Sequence, residues 1–173
     1  MSQTTLKRKK TRSGQRGRMT QPRALELVNQ ILGNAANSRE FLIEHLHAIQ
    51  DHQGYLSFAS LRALAERMNL PMAAVYETAS FYAHFDIIRD GETPPPAVTI
   101  RVCDSLSCQL AGAEALSNAL KEELDPQAVR VIHAPCMGRC DTAPVLELGH
   151  HHIEHADVEK TKAALSVQMF EPE

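Results

Sequence analysis

Between residues 22 and 85 apolar positions recur every three or four residues; from residue 98 they alternate. The first pattern predicts amphipathic helices and the second predicts strands. Pro22–Leu32 carries Leu25, Val28, Ile31 and Leu32 on one face, and Gly33-Asn34 ends it. Ser38 is placed to cap a second helix running to Gln50, with Leu42, Leu46 and Ile49 as its stripe. Gly54 turns the chain, and Ser57 caps a third helix whose Phe58, Leu61, Leu64, Ala65 and Met68 share helical spacing. Asn69-Leu70 closes it. Pro71 opens a fourth, in which Met72, Val75, Tyr76 and Ala79 lead toward Phe81, Tyr82 and Phe85. The run Asp90-Gly91-Glu92-Thr93-Pro94-Pro95-Pro96 reads as a stiff linker.

Beyond it, Val98, Ile100 and Val102 alternate as a strand that leads into Cys103. Ala111–Leu124 reads as a helix closed by Asp125-Pro126, and Val129–His133 as a second strand that leads into Pro135-Cys136. This β-α-β order implies parallel strands with a right-handed crossover. Both cysteine loops then leave the carboxyl ends of neighbouring strands, where open α/β sheets bind ligands. Val145–Leu148, Gly149 and His150–His155 read as a hairpin, and Asp157 caps a last helix to Val167. The expected fold class is α+β, an N-terminal helical bundle followed by a thioredoxin-like α/β domain. Its expected divisions are a disordered basic tail (1–19), a helical bundle (20–86), a Pro-rich linker (87–97), the thioredoxin-like domain (98–168) and a C-terminal tail (169–173).

Composition narrows the setting. The chain of 173 residues is 43% hydrophobic with no Trp, which suits a soluble, helix-rich globule. No apolar run approaches the roughly 18 residues of a membrane span, so direct membrane insertion is not expected. The N-terminus lacks the apolar stretch of a secretory signal. Four cysteines without such a signal point to the cytoplasm, where disulfides do not persist. The net charge of −3 hides an asymmetry. Seven of the 18 basic residues lie in Met1–Arg18 with no acid, leaving 11 against 21 acidic residues from residue 19 onward, a charge of about −10. That argues against nucleic-acid binding by the body. The basic arm has too little apolar material to bury a face and reads as disordered.

The chemistry is carried by four cysteines. Cys103 and Cys108 form C-x4-C, and Cys136 and Cys140 form C-x3-C, 27 residues further on. Four thiolates are the complement of a [2Fe–2S] cluster, two per iron. Zinc ribbons more often open with C-x2-C, and thioredoxin-type redox chemistry needs C-x-x-C. A zinc-stabilised interaction module stays open at this point, as do unrelated buried thiols.

Around the cysteines, Gly138 lets the backbone wrap close to a sulfur. Ser105 and Ser107 are either hydrogen-bond donors to sulfur or plain turn residues. Arg139 raises a cluster's potential if it faces it, and otherwise sits on a solvent-facing loop tip. His133 is read first as a core residue and second as a tuning group. Alternation splits His150, His151, His152 and His155 between two faces, so they read as a hydrated or partner-facing patch rather than one metal site. No nucleophile–base pair, phosphate loop or dinucleotide fingerprint is present. No residue is therefore assigned a catalytic role, and electron transfer is the expected activity.

Gly54-Tyr55-Leu56, Leu70-Pro71, Val75-Tyr76-Glu77-Thr78-Ala79-Ser80-Phe81-Tyr82 and Phe85, joined to the cysteine block, resemble the small thioredoxin-like [2Fe–2S] subunit of respiratory complex I. The resemblance runs from Pro22 to Val167. Its relatives serve NAD-dependent formate dehydrogenases and NAD-reducing hydrogenases. Ala134-Pro135-Cys136-Met137-Gly138-Arg139-Cys140-Asp141-Thr142-Ala143-Pro144 looks most like the formate dehydrogenase branch. The spacing between the cysteine pairs is shorter than in complex I, and Arg139 stands where respiratory relatives usually carry a small residue.

The resemblance implies that Cys103, Cys108, Cys136 and Cys140 are the cluster ligands. It also implies an FMN- and NAD-binding flavoprotein beside this chain, as a subunit or a fused domain. A further iron–sulfur or molybdenum subunit would carry the substrate chemistry. Formate dehydrogenase is the expected parent, with NADH:quinone oxidoreductase or NAD-reducing hydrogenase as the alternative.

Overall fold

A computed structural model describes residues 20–170; the basic arm and the last three residues lie outside this range. Four helices come first: α1 (Pro22–Leu32), α2 (Leu42–Gln53), α3 (Phe58–Arg67) and α4 (Met72–Phe81). α1 packs on α2 and α3, and α4 on α2 and α3. Their stripes make one core in which Val28, Leu46, Ile49, Leu61, Leu64, Val75 and Ala79 are fully buried. Ser57 caps α3 as expected, its Oγ accepting from the Ser60 N–H at 3.0 Å. Ser38 does not cap α2. It precedes a 3-10 turn over Arg39–Phe41, and its hydroxyl donates to Glu40 at 3.0 Å. The 3-10 turn stands between Ser38 and α2, so the serine oxygen does not reach the first N–H groups of that helix.

Two short strands, β1 (Leu56–Ser57) between α2 and α3 and β2 (Ile87–Ile88) after α4, pair in parallel. The first two residues of the expected linker are thus held in a ladder. β3 (Val98–Cys103), β4 (Val129–Ala134), β5 (Leu146–Leu148) and β6 (His151–Ile153) form a sheet in the order β4-β3-β5-β6. β3 and β4 are parallel, and the other neighbours are antiparallel.

α6 (Ala113–Glu123) is the helix expected over Ala111–Leu124, and a short α5 (Leu106–Leu110) precedes it. Gly112, at φ 92, breaks the run in a left-handed conformation that other residues rarely adopt. α7 (Val158–Phe170) closes the fold, with Asp157 Oδ1 accepting from the Lys160 N–H at 2.7 Å. Ile100, Val102, Leu120, Val145 and Leu146 form a second core with Leu116 and Leu165. The Ala143–Pro144 peptide is cis.

A polar seam joins the two cores. Arg101 lies on the face of β3 opposite Ile100 and Val102, and it is 7% exposed. Its Nη2 donates to Asp86 Oδ2 at 3.0 Å and to the His84 carbonyl at 2.9 Å. Arg130 on β4 donates to the same Asp86 oxygen at 2.6 Å. Gln50 on α2 completes the seam, donating to the His84 carbonyl at 2.9 Å and accepting from the Asp86 N–H at 2.7 Å. A guanidinium so buried needs a counter-charge and hydrogen bonds to offset its lost hydration. Asp86 supplies the charge.

Candidate iron–sulfur site

β3 ends at Cys103, which pairs in register with Ala134 at the end of β4. The Asp104 N–H donates to the Ala134 carbonyl at 3.0 Å, so the two strands release their loops side by side. From Cys103 the chain turns at Ser105 into α5, which carries Cys108. From Ala134 it runs through Pro135–Arg139 into a 3-10 turn at Cys140–Thr142. α5 packs against that turn, bringing the first cysteine pair to the second.

Cys103 and Cys108 are buried, whereas Cys136 and Cys140 are exposed; all four are free thiols. The Cys136 and Cys140 sulfurs stand 3.6 Å apart. Two thiolates on one tetrahedral metal at about 2.3 Å stand about 3.8 Å apart, so this pair is set for a shared ion. Gly138, at φ 77, points its N–H at the Cys136 sulfur from 3.4 Å. That bond leads the lowering of the Cys136 thiol, followed by Cys140 and the Ser105 hydroxyl. The hydrogen bond to Cys136 pushes Cys140 up, against the Ser107 hydroxyl. Burial pushes Cys108 up, with Cys103 adding to it, while a backbone bond at Val145 pulls it down.

Interactions therefore link all four sulfurs across both loops. Among the described residues no three ligand-type side chains close on one ion position. Cys136 and Cys140 stand as one close pair, and a [2Fe–2S] core takes two thiolates per iron. The donor set fits that group: four sulfurs on two adjoining loops and a backbone N–H aimed at Cys136. The Ser105 hydroxyl favours the Cys136 thiolate and the Ser107 hydroxyl that of Cys140.

Arg139 is held away from the sulfurs by partners on the hairpin side. Its Nη1 pairs with Glu154, and its Nε donates to His152 Nδ1 at 3.3 Å. His133 is exposed, so it is not a core residue. His150 leaves the hairpin patch for Asp51 on α2, Nε2 to Oδ1 at 3.1 Å. A groove of about 280 Å³ runs beside Cys136, lined by Tyr82, His84, Arg101, Pro135, Met137 and Glu147 among others. Sequence patterns did not mark Glu147, Glu154 or His84. They are polar residues whose partners lie on distant segments.

A parallel pair of strands that delivers two cysteine pairs to one edge, extended by a hairpin and a closing helix, defines a thioredoxin-like iron–sulfur protein. Residues 28–168 match the thioredoxin-like [2Fe-2S] ferredoxin family, and the chain belongs to it. The HndA component of the NADP-reducing hydrogenase of Solidesulfovibrio fructosivorans is 30% identical over 139 residues, covering 76% of this chain and 78% of that protein. An NADH-quinone oxidoreductase subunit of Aquifex aeolicus is 33% identical over 115 residues, covering 62% and 69%. Its counterpart in Mycobacterium bovis is 28% identical over 143 residues, covering 78% of this chain; the chain spans only 55% of that relative's length. A solved NAD+-reducing [NiFe]-hydrogenase shares the fold with a TM-score of 0.56 at 24% identity, over 76% of this chain and 22% of that one.

Proposed function

We propose that Cys103, Cys108, Cys136 and Cys140 hold one [2Fe–2S] cluster, and that the chain is a one-electron-transfer subunit or domain of an NAD(H)-linked oxidoreductase. The observation that carries this reading is the pair of sulfurs 3.6 Å apart at Cys136 and Cys140, bonded across to the first cysteine loop. When bound, the cluster supplies a carrier for single electrons. The chain's own residues hold and screen it. The Gly138 N–H and the Ser105 and Ser107 hydroxyls offset thiolate charge, and Cys103 and Cys108 anchor the inner side within the sheet core. Cys136 and Cys140 lie on the open side. Leu106 and Leu110 stand 72% and 82% exposed on α5, apolar surface suited to a covering partner.

The partner proposed is an FMN- and NAD-binding flavoprotein. Hydride arrives as an electron pair, and a flavin divides it for a one-electron centre. α1–α4 serve as a helical bundle that backs the cysteine-bearing sheet, and the assembly is cytoplasmic. The proposed parent is an NAD-dependent formate dehydrogenase, on the resemblance of Ala134–Pro144. The names of the relatives favour a second reading, a component of NADH-quinone oxidoreductase or of a nicotinamide-linked hydrogenase.

The test is iron and sulfide analysis with electron paramagnetic resonance of the dithionite-reduced protein. It is followed by anaerobic absorbance with NADH alone and then with the flavoprotein added. About two irons and two sulfides per chain, bleached only when flavin is present, support the proposal. A colourless folded protein holding one zinc, or bleaching by NADH alone, overturns it. The catalytic subunit that co-purifies decides the parent enzyme.

A further inference from the structure

Three histidines from three distant segments meet at the seam between the helices and the sheet. His47 lies on α2, His84 follows α4, and His150 sits at the tip of the β5–β6 hairpin. Ring centroids are 4.8 Å apart for His47 and His84, 5.8 Å for His84 and His150, and 6.3 Å for His47 and His150. Two of the rings meet carboxylates. His84 Nδ1 is 3.3 Å from Glu147 Oε1 on β5, and His150 Nε2 is 3.1 Å from Asp51 Oδ1 on α2. The contacts of His47 are with rings, including Phe85 at 4.8 Å.

The charges facing this cluster come from every element around it. Asp51 and Glu44 on α2 pull His47 toward its protonated form. Burial first, then the charges of His84 and His150, push it the other way, and they win: His47 lies below its ordinary value of 6.5. Glu147 is lowered although burial raises it, because the bond to His84 and the charges of His84, Arg101 and His152 outweigh burial. Asp86 is already engaged by Arg101 and Arg130.

We propose that His47, His84 and His150 form a proton-operated latch between α2, the turn at residue 84 and the hairpin tip. Neutral rings pack against one another across the seam. A proton on His47 places a charge between two imidazole rings 4.8 and 6.3 Å away, where burial and those rings oppose it, and the contact is driven apart. The movement reaches the cysteine edge. The His84 carbonyl holds Gln50 and Arg101, and the His84 side chain lines the groove beside Cys136. The latch stands on groups outside the cysteine site and does not depend on what those cysteines bind.

The sign follows from His47. A histidine lowered in the folded state binds its proton more readily when unfolded or released. The seam is therefore closed above about pH 6.5 and loosens as pH falls from there through the folded value.

The test is amide hydrogen exchange by mass spectrometry on the full chain, as purified, at pH 7.5 and pH 5.5, corrected for intrinsic exchange. Peptides covering residues 83–88 and 148–152 are expected to lose protection at the lower pH, by up to about tenfold per pH unit, the limit for one coupled proton. Peptides of α1 and α3 keep theirs. His47→Gln removes the central charge and flattens the dependence, while Asp51→Asn removes an acid that raises His47, lowers its folded value further and extends the loss to lower pH. Should His47→Gln fail to fold, His150→Gln replaces it, at a half-exposed position. Wild-type pH dependence retained in the histidine variants, no loss in the wild type, or equal loss across α1 and α3 overturns the proposal.

Discussion

Gly138 donates its backbone N–H to the Cys136 sulfur across 3.4 Å, and it does so from a left-handed conformation at φ 77. A Cβ at Gly138 meets nothing within 4 Å, so the position is restricted by its dihedral angles alone. Gly138→Ala is expected to cost about 1–2 kcal/mol in the loop and to slow cluster loading. Gly138→Asn, a residue more tolerant of that region, is expected to load faster than Ala. The rise of visible absorbance during anaerobic reconstitution measures both.

The same N–H sets the order in which the second pair loses protons. In the cluster-free protein Cys136 is lowered and Cys140 raised from the ordinary thiol value of 9.0. As pH rises, Cys136 is expected to be alkylated first, with a rate midpoint below that of a free thiol. Peptide mapping after brief iodoacetamide treatment reads the order directly. Equal labelling of Cys136 and Cys140 at every pH would count against the Gly138 bond as the cause.

Burial divides the four cysteines. Cys108 lies in the sheet core and Cys136 on the surface, so their serine variants differ beyond the loss of the cluster. Compared without cluster, Cys108→Ser is expected to be less stable than Cys136→Ser by about 1–3 kcal/mol, the cost of burying a poorly paired hydroxyl. Urea unfolding followed by circular dichroism measures this. Both variants should keep the α1–α4 helices, whose core contains none of the cysteines.

Asp86 accepts from both Arg101 and Arg130 in the seam. Asp86→Ala leaves the buried Arg101 charge without its counter-ion, at an expected cost of about 3–5 kcal/mol. Adding Arg101→Met should recover much of that, since the apolar side chain needs no partner. A double-mutant cycle in urea checks the coupling. Additive effects would show that the seam is held elsewhere.

Much of this protein is local and therefore readable along the chain. Val28, Leu46, Leu61 and Val75 announce their helices by spacing. Ser57 and Asp157 cap where a hydroxyl or carboxylate precedes an apolar run. Val98–Val102 and Val129–His133 alternate, and the β-α-β order alone puts Cys103 and Cys136 at one edge. Local detail already blurs the reading at Ser38 and Gly112, where a 3-10 turn and a left-handed glycine precede the helix starts.

What tertiary structure decided lies on the faces that periodicity leaves blank. Arg101 alternates with Ile100 and Val102, and by period alone it belongs to solvent. The helical part covers that face of β3, which turns Arg101 into a buried ion anchored on Asp86. The histidines behave in the same way. His47, His84 and His150 are separated by 36 and 65 intervening residues, and no spacing rule joins them. Their meeting depends on how two independently patterned units dock. Polar contacts across such a seam are specific only to the docked geometry, whereas helix stripes, caps and cysteine spacing act within a few residues of chain.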